Sequence, residues 1–309
     1  MLLIIYFLVS FVIIINALEI SVQDEKQLRD GLMIGSEKDL VLKIEKGIIE
    51  ISKELEIQHN YKSLSIRGIE VVNDNVEKKY IQFRNFEYHA AVKEGSTKNN
   101  CIELYGEVEI IGSEFYSSPS SCIDGIINYH GNNVNSIVIS TSYFDGAYYD
   151  NCLSIQGSEF TSIEFSIFER GASYENHDGG GAIRIKKSNV NISDCQFKDN
   201  FSLKKGGALS IYDTSFSANN INFVNSTALE KGSLIYMHSS EFHSAYISNI
   251  NCKDSGNINN INDKDLRGLI ASVEGYSTLI IDNLYGENLY GGSKSGAFTL
   301  NQQSVIEVR

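Results

Sequence analysis

The sequence predicts an all-β protein of the parallel β-helix class, a single-stranded solenoid with three short strands per rung and a short capping helix at its N-terminal end. The first observation behind this is a frame of four apolar or small positions spaced two, three and two residues apart. It is clearest at Val108-Ile110-Ser113-Phe115, Ile137-Ile139-Ser142-Phe144, Val190-Ile192-Cys195-Phe197 and Phe216-Ala218-Ile221-Phe223. Two alternating pairs with one extra residue between them describe two strands meeting at a bend, whereas a helix needs intervals of three and four. The second observation is the period: from Phe115 the last frame position recurs at 144, 168, 197, 223, 252 and 286, intervals of 24 to 34 residues. The third is a further short strand ahead of the frame, opened by a small residue, at Cys101-Ile102-Glu103-Leu104, Cys152-Leu153-Ser154-Ile155, Ala182-Ile183-Arg184-Ile185 and Ala208-Leu209-Ser210-Ile211.

Taken along the chain, residues 1–17 read as a secretory signal, because Leu2 to Ile15 is apolar apart from Ser10 and ends at the small-residue step Asn16-Ala17. A short uncleaved signal anchor is the competing reading, and no later segment is apolar enough to span a bilayer. Residues 18–60 form the N-terminal cap and first strands. Asp24-Glu25-Lys26-Gln27 has the form of a capping box, and Leu28 and Leu32 give an i,i+4 stripe on a helix reaching about Met33. Strand pieces follow at Val41 to Ile44, Ile48 to Ile51 and Leu55 to Ile57. A helix laid there hides the apolar end of the first rung and its strand edges.

Residues 61–309 are rungs. Weaker frames stand at Leu64-Ile66-Ile69-Val71, Ile81-Phe83-Phe86-Tyr88, Thr161-Ile163-Ser166-Phe168, Ala245-Ile247-Ile250-Cys252 and Leu279-Ile281-Leu284-Gly286. The step from Val71 to Tyr88 is only 17 residues, so the first two of these share a rung or mark irregular winding. One rung of ~26 residues loses roughly 1–2 kcal/mol of backbone entropy per residue, and its inward side chains return only ~1.5–3 kcal/mol each. Rungs therefore stand only when stacked. The alternation of Phe298-Thr-Leu and Val305 to Arg309 stops without a capping element, which predicts end-to-end self-association through open strand edges or fraying after about residue 290.

Composition narrows the function. The 309 residues carry a formal charge of -13, which repels phosphate backbones and disfavours nucleic acid as a partner while leaving cationic, calcium-bridged or neutral glycan partners open; an extracellular glycan or a cell-surface protein is expected. The chain has one proline, no tryptophan, 38 Ser and 29 Asn, unlike a collagen or a proline-rich linker. Three sequons, at Asn191, Asn200 and Asn225, are candidate glycosylation sites of a secreted product. Five cysteines are too few and too dispersed for a disulfide framework. Cys101, Cys122 and Cys152 fall at the small-residue position held by Ala182 and Ala208 elsewhere, so they form either a ladder of small residues or thiols within disulfide reach.

Gly180-Gly181-Ala182-Ile183 followed by Phe197-Lys198-Asp199-Asn200, and Gly206-Gly207-Ala208-Leu209 followed by Phe223-Val224-Asn225, resemble the G-G-A-I and F-x-x-N motifs of polymorphic outer-membrane protein repeats. The resemblance is specific over about residues 180 to 226. It implies a right-handed parallel β-helix of the pectin-lyase-like superfamily, displayed on a cell surface and adhesive.

The same superfamily contains polysaccharide lyases and hydrolases, which makes an enzyme the alternative. Arg184-Ile185-Lys186 is similar to the R-I-K triplet of polygalacturonases, but their N-T-D and D-D carboxylate motifs are absent, and His177-Asp178-Gly179 only echoes G-H-G. No catalytic and no metal residues are assigned. Calcium is the one cofactor left open, through Asp145, Glu169, Asp194 and Asp199 near corresponding turns, and none is expected. Aromatic residues at out-pointing or loop positions, Tyr148 and Tyr149 foremost, are candidate glycan contacts. The sequence thus points to a secreted or cell-surface, adhesin-like binding module without turnover.

Overall fold

The structure is a computed structural model and describes residues 17–33, 39–44, 48–49, 63–67, 80–90, 101–119, 122, 125–174, 178–256, 267–291 and 296–309. The apolar leader up to residue 16 and the expected strand at 55–57 lie outside the described residues. Among the described residues no helix is long and apolar enough to cross a membrane.

The chain is a parallel β-solenoid whose strands fall into three long parallel sheets. The first stacks Ala17–Val22, Asp39–Ile44, Ser63–Arg67, Ile102–Tyr105, Ile127–His130, Leu153–Gln156, Ile183–Lys186 and Leu209–Tyr212, then the starts of Ile235–Lys253 and Ala271–Glu287, then Phe298–Asn301. The second and third carry the two halves of the frame. Glu107–Ile111, Ser136–Ser140 and Phe160–Glu164 stack in the second. Glu114–Tyr116, Tyr143–Asp145 and Ile167–Glu169 stack in the third. A short ribbon of Ala172–Ser173, Phe201–Ser202 and Thr227–Ala228 lies on the way back to the first sheet.

The extra residue in the frame is the bend itself. Asn85, Gly112, Thr141, Phe165, Asp194, Asn220, Asn249 and Asn283 all have φ between 48° and 58°, the left-handed turn that re-aims the chain into the third sheet. The hydroxyl just after it satisfies the broken ladder: Ser142 Oγ donates to the Ser140 carbonyl at 2.8 Å and accepts the Ser113 N–H at 3.2 Å. Ser166 repeats this toward Glu164 and Ser142. Bends, not binding, account for much of the serine and asparagine.

Inward positions of the third sheet meet their own kind on the next rung. Phe115, Phe144, Phe168, Phe197 and Phe223 stack with centroids 4.9–5.3 Å apart, all essentially inaccessible to solvent. The Gly-Gly-Ala segments have a separate reason. Gly180 and Gly206 sit at φ +78° and +57°, and a Cβ on Gly181 would lie 2.2 Å from the Gly207 carbonyl of the following rung.

The cap forms as the sequence predicts. Helix α1, Glu25–Met33, opens with Asp24 Oδ1 accepting the Gln27 N–H at 2.8 Å, while Gln27 Oε1 accepts the Gln23 N–H at 2.7 Å. Leu28 and Leu32 are buried in the core, and Gly31 lets the helix approach the Leu42 side chain closely.

The structure corrects three sequence assignments. Leu64-Ile66 is not a frame: Ser63–Arg67 stacks between Asp39–Ile44 and Ile102–Tyr105 in the first sheet, and Ile48–Ile49 precedes Tyr80–Arg84 in the second. The short step from 71 to 88 arises because Ser63–Arg67 and Tyr80–Arg84 belong to one rung. The last frame fades, with Leu284 half-buried and Gly286 exposed, because no described third-sheet strand stacks beyond it. Finally, Ile126, not Cys122, holds the small-residue position: Ile127 pairs with Ile102 and Leu153, so the residue before it aligns with Cys101 and Cys152. Cys122 instead forms a disulfide with Cys101, Cα atoms 5.1 Å apart. Cys152, Cys195 and Cys252 are free and buried.

Two phenylalanines three residues apart test this architecture. Phe168→Ala should cost ~3–5 kcal/mol by opening a cavity in the aromatic stack. Phe165→Asn, at an exposed left-handed bend, should cost nothing or stabilise by up to about 1 kcal/mol. Denaturant unfolding of the two variants checks both.

Candidate functional site

Side chains pointing out of the first sheet form two rows along the solenoid. One runs Glu103, Asn128, Ser154, Arg184, Ser210, Tyr236, Ser272, and the other Tyr105, His130, Gln156, Lys186, Tyr212, His238, Glu274. Strand alternation puts them there, since Ile102, Leu104, Ile127, Tyr129, Leu153, Ile155, Ile183 and Ile185 take the core. Over the first four strands of these rows the face opens into a trough of about 330 Å³, lined chiefly by Glu103, Asn128, His130, Gln156, Asp178 and Arg184.

The trough is rich in planar polar groups. The Tyr105 and His130 rings stack at 5.0 Å, and Tyr105 Oη donates to Glu103 at 3.3 Å. Arg184 Nη2 donates to Ser154 Oγ at 3.0 Å, laying the guanidinium back along the trough. Asn128 is 4% exposed, and its Nδ2 has no hydrogen-bond partner. A buried donor without an acceptor is costly, and Ser272 Oγ and His238 Nδ1 further along the same rows are also buried without partners.

Toward higher rungs the trough is shut. The Asp178 carboxylate pairs with Lys186, and the Asp178 carbonyl accepts both the Ser210 hydroxyl and Tyr212 Oη, the latter at 2.7 Å. Beyond this crossing the face is filled by its own side chains. Glu274 receives Lys231 Nζ at 2.5 Å and Tyr236 Oη at 2.8 Å, and Lys205 Nζ lies 4.7 Å above the Tyr236 ring. Burial alone would raise the Glu274 carboxyl, but the bonds from Lys231 and Tyr236 take it below its ordinary 4.5.

The candidates read from sequence scatter. Arg184 and Lys186 point outward into the trough as alternation requires, and Asp178 joins them, while His177 lies outside the described residues. Tyr148 and Tyr149 are 42% and 43% exposed on a turn after the third sheet, and neither lines the trough. The four turn carboxylates are each bound by their own donors: Asp145 by Arg170, Glu169 by Lys198 and Tyr143, Asp194 by Asn220, and Asp199 by Asn225. Among the described residues no three His, Cys, Asp or Glu side chains are placed to hold a metal ion. Glu103, Asn128 and Gln156 were missed because nothing local marks an outward polar residue; aligning the rungs would have revealed their common row.

The sequon at Asn200 is corrected. Asn200 is 1% exposed, its Oδ1 accepting the Gly171 N–H at 2.9 Å and its Nδ2 donating to the Phe168 carbonyl at 3.0 Å, so a sugar on that nitrogen is incompatible with the fold. Asn225 is exposed and Asn191 partly so. Gly180, Gly181, Ala182, Gly206, Gly207 and Ala208 are likewise buried and structural, as are Phe197 and Phe223.

No family model matches the chain, and no curated protein matches it. Among solved structures, a crystal structure of the Agl-KA catalytic domain aligns with 92% of this chain at 10% identity and a TM-score of 0.26. The chain spans 65% of that structure's length.

Two outcomes follow. In a glycosylating secretory host, a chain retaining only the Asn200 sequon should show no glycosidase-sensitive mass, whereas Asn200→Ala should cost ~1–3 kcal/mol by stranding buried backbone groups. Because the Glu274 carboxyl lies below its ordinary value, its stabilising effect is present at neutral pH and lost as pH falls through that lowered value. Unfolding measured from pH 7 downward should therefore show a smaller acid loss in Glu274→Gln than in the native chain.

Proposed function

We propose that the chain is a secreted or cell-surface, non-catalytic β-helix module that binds an extracellular glycan in the trough of its first sheet. The carrying observation is the trough of about 330 Å³ itself, lined by carboxylate, amide, imidazole and guanidinium groups. Such planar groups match the paired hydroxyls of sugars, and the Tyr105–His130 stack offers an aromatic edge. A cell-surface protein is the other partner of this reading, and its glycans would present the same chemistry.

Secretion is supported by the apolar leader and by the Cys101–Cys122 disulfide, a bond that persists in oxidising compartments. Membership of the polymorphic outer-membrane protein repeats, within the right-handed pectin-lyase-like β-helices, is supported by the Gly-Gly-Ala segments and by Asn200 closing a turn onto the preceding rung. One observation favours a polysaccharide lyase or hydrolase instead: Glu103 and Asp178 share the trough with Arg184. Against it, the Asp178 carboxylate is already occupied by Lys186.

Incubation with polygalacturonate, alginate and plant cell-wall polysaccharides, with and without calcium, separates the readings. Binding without new reducing ends or unsaturated products is expected, with Arg184→Ala weakening it about tenfold or more through loss of a charged donor. Turnover abolished by Glu103→Gln or Arg184→Ala would establish the enzyme.

A further inference from the structure

We propose that the trough recognises the end of a glycan chain and excludes chain interiors. This rests on the glycan-binding reading and adds to it a specificity that follows from one crossing of the main chain.

The trough is longer along the solenoid axis than across it. Glu103, Asn128, Ser154 and Arg184 lie on four successive strands, a span of roughly 14 Å at ~4.8 Å per strand, whereas each strand offers only two outward residues, roughly 7 Å apart. A polymer therefore gains most contacts by lying along the axis. In the direction of higher rungs it meets Asp178, whose backbone carbonyl sits on Ser210 and Tyr212 and whose carboxylate is tied to Lys186. Lys186 Nζ also lies 5.6 Å from the Tyr212 ring centroid, so the barrier is packed from below.

The path of the chain makes the barrier a built feature. Gly179 and Gly180 take φ of +82° and +78°, and a Cβ on Gly179 would fall 1.9 Å from the Lys205 carbonyl, so the chain is held tightly against the next rung. Gly180 N–H donates to the Lys205 and Gly206 carbonyls at 3.1 and 3.0 Å. Past the barrier, among the described residues, Tyr236, Ser272 and Glu274 are 1%, 0% and 8% exposed, with Lys205 bonded to Tyr236 and Lys231 to Glu274. A sugar chain running along the first sheet has room to terminate beside Arg184 and no room to continue.

The test uses the full chain with polygalacturonate, xylan and chitosan, each intact and after mild hydrolysis to about one-tenth of its mean length. End recognition predicts that, for whichever polymer binds, the mass of polymer giving half-saturation falls about tenfold on fragmentation, in step with the number of ends. Ser210→Ala with Tyr212→Phe removes the hydroxyls that pin the Asp178 carbonyl, and this variant should bind intact polymer nearly as well as fragments. Hydrogen exchange at Gly180 reports whether the crossing has loosened without unfolding of the Leu209–Tyr212 strand. Equal half-saturation masses for intact and fragmented polymer with the native chain would overturn end recognition while leaving glycan binding standing. Failure of every polymer and fragment to bind would overturn the glycan reading, and this proposal with it.

Discussion

Everything in this molecule depends on parallel stacking in register, because no rung can bury its own core. The upper and lower faces of each inward side chain are covered by the equivalent residues of neighbouring rungs, and the Phe115 to Phe223 column is the plainest case. Stacking identical rings offset at 4.9–5.3 Å satisfies aromatic geometry and strand spacing together. The left-handed bends and the hydroxyls beside them keep that register, since a bend one residue early would turn inward positions outward along the following strand.

This division of labour decides what could be read from sequence. Inward residues are constrained on every rung, so the two-three-two frame survives as a repeating signal, and the clear copies at Val108, Ile137, Val190 and Phe216 all fall on the core. Legibility fails where connections vary. Leu64-Ile66 has the right alternation for a frame, but only the stacking partner tells which sheet a two-residue alternation joins. The small residue that opens a first-sheet strand is likewise fixed only by register: Ile127 pairs with Ile102 and Leu153, so Ile126 and not Cys122 stands there. The trough was the least legible part, because its outward residues differ from rung to rung and share no residue type.

The first sheet is thus one scaffold used in two ways. Its lower rungs shape the trough, and on its upper rungs Tyr236 and Glu274 of the same two rows bond to each other and Glu274 to Lys231. The change occurs within a single strand spacing, where Asp178 crosses. His177-Asp178-Gly179 only echoes a motif in sequence, yet in space the Asp178 carboxylate meets Lys186, eight positions on.

The three unpaired cysteines carry a consequence for how the solenoid opens. Burial raises all three thiols, those of Cys195 and Cys252 to about 12, so none reacts with an alkylating reagent while its rung is closed. They stand on different rungs, and a solenoid couples each rung only to its neighbours. Each thiol is therefore a clock for its own stretch of the molecule. Their labelling rates would measure how far a disturbance at one end travels before it dies away, giving a correlation length for a protein that behaves as a one-dimensional lattice.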